Sequence, residues 1–429
     1  MRSGAQRQLK TIGEADLVIG LPTYKNSKTA AHVAHVALKG AHQYFPQLRT
    51  VLINADAGFA PTTRRAVEAQ AFSNGHNSAI VTGRYDGLLG QGSATAALLD
   101  AALALDAKAI IILDSNTQSI TPNWIAGLAY LILENKADLV VPRYQWSMPG
   151  GGLSDLIVYP LFRALWGQSV RHPAAPDFAL SPQLATTLLD EDIWQTEAAK
   201  WGLPPWLTTY AVLRPWRVAQ SALGQKQTDL FQSPSSKKST KSKKAAAVFR
   251  AQFQNIITAL LRQMYDNRDR WEQVDDFHSI STLTKFTPEI KSEPSSEEDP
   301  TLLLDDLALG WIEYRALWQR ILNPDNLAQV EALAALPPDR FYLPSDLWAR
   351  IIFDFAVVFN KGDCDPYQMV RSLFPLYQGR LAAFNQEIAG LALVGREGTV
   401  AAQAVEFEEA RPYLRIRWHT YSPWLSEQN

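Results

Sequence analysis

Asp114 and Asn116 stand two positions apart directly after an apolar run, in AIIILDSNTQSITPNW, and ahead of a Thr-Pro pair that can open a helix. That spacing sends both side chains to one side. An Asp-x-Asp pattern after a buried strand can hold a divalent ion against a diphosphate, because hard oxygen ligands suit Mg²⁺ or Mn²⁺. Here the second position offers a carbonyl oxygen without charge. Asp114 reads equally well as a turn cap. Two earlier segments, LPTYKN with Pro22 and Thr23, and INADAG with Asp56, supply amides, hydroxyls and a carboxylate of the kind that hold a ribose and a base. Polar residues close most α/β strands, so each alone is better explained as ordinary loop. Gly90-Gln91-Gly92 before a Ser-Ala-rich stretch is compatible with a backbone anion nest at a helix start. A simple tight turn is the commoner explanation.

Other constellations are weaker. His32, His35 and His42 fall on a predicted helix at spacings of three and seven, with no carboxylate or Cys sharing the pattern. They read as a solvated face. The chain has no Gly-x-Ser-x-Gly elbow, His-Glu-x-x-His pair or Walker loop, which leaves serine-hydrolase, zinc-protease and P-loop chemistry without support.

Short apolar runs that could position these residues recur about every thirty residues: Leu17 to Leu21, Thr50 to Asn54, Ala79 to Thr82, Ala109 to Leu113 and Leu139 to Val141. They are continuous rather than alternating, as in strands covered on both faces. Helical stretches lie between them, Thr29 to Tyr44 and Ser93 to Leu105 among them, and Thr121-Pro122 is a cap followed by a first-turn proline. The expectation is an α/β, doubly wound, mostly parallel sheet, whose ligands bind beyond the carboxyl ends of the strands. Residues 231–247 include SPSSKKSTKSKKAAA, expected to be a flexible loop, and KSEPSSEEDP near 291–300 is an acidic break. Between and after these breaks the periodicity is helical: Phe249 to Trp271, Leu302 to Leu322, Leu347 to Asn360, Met369 to Leu373 and Ala382 to Leu393. The expected domains are therefore 1–230 and a helical 248–429.

With 429 residues, 41 Lys+Arg, 43 Asp+Glu and a formal charge of -2, the chain has no polycationic character, and nucleic acid is not an expected partner. The single Cys364 excludes a disulfide framework and a cysteine-rich metal site. No apolar run approaches the ~18 to 20 residues of a membrane span. MRSGAQRQLK lacks the apolar stretch of a secretory signal. A cytoplasmic protein is expected, with homo-oligomerisation left open.

The ordered set LPTYKN, INADAG, Gly-x-Gly, LDSN and LWGQSVRHPAAPDFALS (Leu165 to Ser181) resembles nucleotide-sugar-dependent glycosyltransferases of the GT-A fold. It is closest to the retaining branch of mannosylglycerate synthase and glucosyl-3-phosphoglycerate synthase. PPWLTTYAVLRPWRVAQSALGQK and SLFPLYQGRLAAF extend the likeness over most of the chain. The resemblance implies transfer of a hexose from a nucleoside diphosphate sugar to a small or carbohydrate hydroxyl acceptor, glycerate-type acceptors among them. It also implies Pro22, Thr23, Asp56 and Gln91 at the nucleotide sugar and Lys226 near phosphate. Asp114 and Asn116 stand at the Mg²⁺ or Mn²⁺ motif, and Arg171 and Asp177 at the acceptor-side catalytic segment. An Arg171–Asp177 ion pair of purely structural role is the alternative there.

The departures fall where the chemistry belongs. Asn116 replaces an acidic residue, Gln91 a lysine, and Thr228 a metal-binding histidine; Ala175 and Pro176 stand in place of glycines, and Pro204-Pro205 precedes Trp206 where an Asp is usual. Metal would then be held weakly or not at all. The alternative function is a degenerate transferase fold that acts as a binding or regulatory module.

Overall fold

The computed structural model describes residues 1–71, 77–145, 152–227, 240–288, 300–362 and 364–422. Its central element is an eight-stranded sheet. In chain order the strands are β1 Leu17–Thr23, β2 Thr50–Asp56, β3 Ser78–Arg84, β4 Ala109–Ile112, β5 Leu139–Gln145, β6 Phe178–Leu180, β7 Val218–Gln225 and β8 Thr282–Leu283. They lie in the order β8-β7-β5-β6-β4-β1-β2-β3. Only β6 runs antiparallel, between β4 and β5.

Burial on both faces explains the continuous apolar runs. Leu17, Ile19 and Leu21 of β1 join a core with Ala34, Ala37, Trp124 and Ile125, from the helices Ser27–Tyr44 and Pro122–Leu133. On the opposite face the helix Gln91–Leu103 approaches so closely that a Cβ on Gly20 would lie 2.9 Å from Leu98 Cδ1. Thr121 is the N-cap of Pro122–Leu133, with proline in its first turn as the sequence suggests. The three His of the early helix are all exposed, and His32 Nε2 lies 3.1 Å from the Gln118 carbonyl oxygen.

The chain forms two compact units, but no single cut near residue 230 separates them. One comprises Met1–Ser147, Val170–Phe231 and Ser279–Glu293; the other Met148–Ser169, Gln232–His278 and Pro294–Asn429. The sheet belongs to the first. The second is helical: Tyr159–Trp166, Thr240–Asp266, Arg268–Glu272, Pro300–Ile321, Pro324–Ala334, Ser345–Lys361, Pro366–Ile388, Leu393–Glu409 and Arg411–His419. Among the described residues no helix is long and apolar enough to cross a membrane.

Two sequence expectations need correction in this unit. The flexible loop of 231–247 does not reach its expected end, because the helix Thr240–Asp266 takes in its last residues. Lys and Ala are good helix formers. Residues 231–239 and the acidic break at 291–299 lie outside the described residues. Met369 to Leu373 and Ala382 onward are not separate helices: Pro366–Ile388 is continuous through Pro375. An interior proline removes a hydrogen bond and crowds the preceding turn. Packing retains it here, since Gly310 of Pro300–Ile321 lies directly against its ring, and the Trp318 indole N–H donates to the Ser372 carbonyl at 3.1 Å.

At the centre of Ser345–Lys361, Asp354 is fully buried and receives hydrogen bonds from Asn323 N at 2.9 Å, Asn326 Nδ2 at 2.8 Å and Arg417 Nε at 3.1 Å. This charge breaks the apolar run at Ile351 for a structural reason.

A Cβ on Gly310 would stand 2.3 Å from Pro375 Cβ. Gly310→Ala should therefore lose about 1–3 kcal/mol to overpacking, more than the roughly 1 kcal/mol of helix propensity alanine gains. Urea denaturation checks this, and a stabilised variant would show that the two helices do not pack this way.

Candidate functional site

Sheet direction brings the site together. Parallel strands β1, β2, β4, β5 and β7 all end on the same edge. Antiparallel β6 begins where they end, so Asp177, just before it, arrives beside Asp114, just after β4: Ile112 pairs with Phe178. Across β5 and β7, Tyr144 pairs with Gly224 and Gln145 with Gln225, which sets Lys226 at the same edge. A register shift at Arg143/Tyr144 leaves Leu223 without a counterpart, and Gly224 adopts φ +74°. Such a bulge re-aims the side chains beside it, and glycine meets the backbone requirement without strain.

Lys226 Nζ forms ion pairs with Asp114 Oδ2 at 3.2 Å and with Asp177 Oδ2. The Tyr144 hydroxyl also donates to Asp177 Oδ2, while Asp177 Oδ1 accepts from the Asp114 backbone N–H at 2.8 Å. Asp177 and Lys226 are buried. Removing one member of such a pair characteristically costs about 3–5 kcal/mol, because the partner charge remains in a poor solvent. Asp177 thus has Lys226 as its ion-pair partner. Arg171, also buried, donates its backbone N–H to Gln220 Oε1 at 2.8 Å.

This charge arrangement sets the neighbouring protonation states. Burial opposes the ammonium of Lys226, but Asp177 and then Asp114 outweigh it and raise its pKa above the ordinary lysine value. Burial, reinforced by Asp177, lifts the Tyr144 hydroxyl well above the usual phenol range. Burial, followed by Arg171, Arg143 and Lys226, holds His172 well below the ordinary imidazole value. Its Nδ1 accepts the Tyr144 backbone N–H at 3.3 Å, which requires that nitrogen to be unprotonated.

Asn116 lies with Asp114 as the spacing suggests. Its backbone N–H and Nδ2 donate to Asp114 Oδ1 at 3.0 and 3.1 Å. Its own carbonyl oxygen, the expected metal ligand, accepts from Asn26 Nδ2 at 3.0 Å. Asn26 also donates to Ser115 Oγ at 2.8 Å, and Ser115 Oγ donates to the Pro22 carbonyl at 2.5 Å. Asn26 precedes a helix whose N-terminus it does not cap through its side chain, and its amide ties β1 to the turn after β4 instead. On the β1–β2 side, Thr23 and Asp56 are paired in register, with Thr23 Oγ1 donating to Asp56 Oδ1 at 3.2 Å. Arg64 meets Asp56 Oδ2 at 2.7 Å, and Gly58 N–H donates to Oδ1 at 3.0 Å.

The donor set does not fit a divalent ion. Both Asp114 oxygens and the Asn116 carbonyl oxygen already accept from protein donors. Among the described residues no group of three or more His, Cys, Asp or Glu converges as metal ligands. Thr228 lies outside the described residues. Nor are the glycines an anion nest: Gly92 N–H donates to the Lys200 carbonyl at 2.9 Å, and a Cβ there would lie 1.7 Å from the Ala198 carbonyl oxygen. They admit the backbone of 198–200. Gln91 is buried and donates from Nε2 to the Pro176 carbonyl at 3.3 Å.

Sequence reasoning missed Tyr144, Asn26, Arg64 and Ser115. Asn26 and Ser115 stand inside the quoted LPTYKN and LDSN segments, whereas Tyr144 follows an apolar strand run and carries no signal of its own.

No protein-family model matches the chain, and no curated protein matches it. Among solved structures it is similar to glucosyl-3-phosphoglycerate synthase from Mycobacterium tuberculosis in complex with Mn²⁺, UDP and glucosyl-3-phosphoglycerate. The identity is 18% over 61% of this chain and 86% of that one, with a TM-score of 0.41. The same enzyme in complex with phosphoglyceric acid gives 19% identity, 64% and 87% coverage and a TM-score of 0.42. Its complex with Mg²⁺ and UDP gives 16%, 59% and 83%, and 0.41.

The depressed pKa of His172 has a defined sign. Below about pH 6.5 the unfolded chain takes up a proton that the folded chain refuses, so stability falls as pH drops through that window. His172→Asn should flatten the fall in Tm between pH 7 and 5 relative to the native protein. Parallel curves for the two proteins would contradict the assignment.

Proposed function

We propose that the sheet-containing unit is a GT-A-type nucleotide-sugar-binding domain and that the protein is glycosyltransferase-like. It would take a hexose from a nucleoside diphosphate sugar toward a small or carbohydrate hydroxyl acceptor, with glycerate-type acceptors included. The observation that carries this reading is the convergence of Thr23, Asp56, Asp114, Asp177 and Lys226 at the carboxyl ends of a mostly parallel sheet, the edge where such folds bind ligands. In this proposal Pro22, Thr23 and Asp56 meet the nucleoside, Gln91 supports the sugar side, and Lys226 faces the diphosphate. Arg171 and Asp177 orient the acceptor, a guanidinium and a carboxylate being suited to acids and hydroxyls.

The residues' part in such chemistry is electrostatic: fixed donors and charges stabilise the departing diphosphate without reorganising. Tyr144 keeps its proton and remains a donor, held by Asp177. A second reading, a degenerate transferase that acts as a binding or regulatory module, is favoured by one observation. Lys226 already occupies both carboxylates, which implies slow transfer or none.

Calorimetric titration with UDP, GDP, UDP-glucose and GDP-mannose tests the class. One nucleotide and its sugar should bind, and Asp56→Asn should weaken both by about tenfold, near 1.4 kcal/mol. Absence of heat and of any thermal stabilisation with all four ligands would sink the proposal.

A further inference from the structure

We infer that the Lys226 ammonium takes the place of a divalent cation in this site, so that Asp114 and Asp177 are its ligands and the site works without Mg²⁺ or Mn²⁺. Every oxygen of the carboxylate pair has a protein donor. Asp114 Oδ1 accepts from Asn116 N and Nδ2 at 3.0 and 3.1 Å, and Oδ2 faces Lys226 at 3.2 Å. Asp177 Oδ1 accepts from Asp114 N at 2.8 Å, and Oδ2 receives both Lys226 and Tyr144. Mg²⁺ and Ca²⁺ sites collect about six or more oxygen ligands, and affinity follows ligand charge and number. A metal entering here would have to displace an ammonium that is fixed in the chain directly after β7 and held by the Gly224 bulge.

The exchange is sound in charge. One ammonium between two carboxylates leaves a single negative charge, and the site needs no soluble ion to remain folded. Asn116 follows the same logic: as an amide it donates to Asp114, which an aspartate could not do. The uncharged second position of the motif therefore complements the lysine.

The test titrates the native full-length chain with MnCl₂ alone and reads free Mn²⁺ by electron paramagnetic resonance. No saturable site should appear up to about 1 mM, whereas Lys226→Met should gain one at least about tenfold tighter, with a Mn²⁺-dependent rise in Tm. Adding Asp177→Asn to that variant should remove the gain. Where Lys226→Met does not fold, the native chain decides alone. A saturable Mn²⁺ site in it that Asp114→Asn abolishes overturns the inference, and its absence supports it. A second arm, which rests on the functional reading above, measures UDP binding in EDTA and in Mn²⁺. Equal affinity within about twofold supports the inference, and a loss of about tenfold or more in EDTA overturns it. If UDP binds in neither buffer while the native chain ignores Mn²⁺, the functional proposal fails and the inference stands on the metal arm.

Discussion

The ammonium of Lys226 between Asp114 and Asp177 is the interaction on which the sheet edge depends. Two carboxylates alone at ~4 Å would repel by about 4 kcal/mol at an effective dielectric of 20, and burial would add to that cost. The ammonium turns repulsion into attraction. It can do so only because three strands deliver their ends to one place: β4 with Asp114, antiparallel β6 with Asp177, and β7 with Lys226. A change in the direction of β6 would carry Asp177 to the opposite edge and leave Lys226 with one partner.

This dependence also marks what a sequence can reveal. Strands β1, β2, β4 and most of β5 are legible because burial on both faces demands continuous apolar residues, and LVIGL or AIIIL satisfies that demand locally. Phe178–Leu180 is three residues long, too short for a periodic signal, and its antiparallel pairing is a tertiary fact. Pro22, Thr23, Asp56, Asp114 and Asn116 were visible as positions after strands, whereas Arg171, Asp177 and Lys226 entered only through the family resemblance. Their connections were not visible, since Lys226 and Asp177 are 49 positions apart. Spacing located Asp114 and Asn116 together, but that Asp114 faces a lysine depended on β7, and that the Asn116 oxygen accepts from Asn26 depended on the segment after β1.

The glycines show the same division between local and tertiary causes. Gly90-Gln91-Gly92 ahead of a helix satisfies the pattern of an anion nest and that of a close backbone crossing, and both need an absent Cβ. The segment opposite decides between them, and it is the 198–200 backbone. Pro375 is the converse case. Local rules place a helix end there, yet packing against Gly310 carries the helix through.

Protonation completes the account of the site. Burial and the surrounding charges fix Lys226 as a cation, Tyr144 as a donor and His172 as an acceptor, so none of the three must reorganise at neutral pH. At Asp114 the ammonium is neutralised by its two carboxylates with one negative charge in excess, and beside it His172 stays neutral because burial first, and then Arg171, Arg143 and Lys226, oppose its protonation.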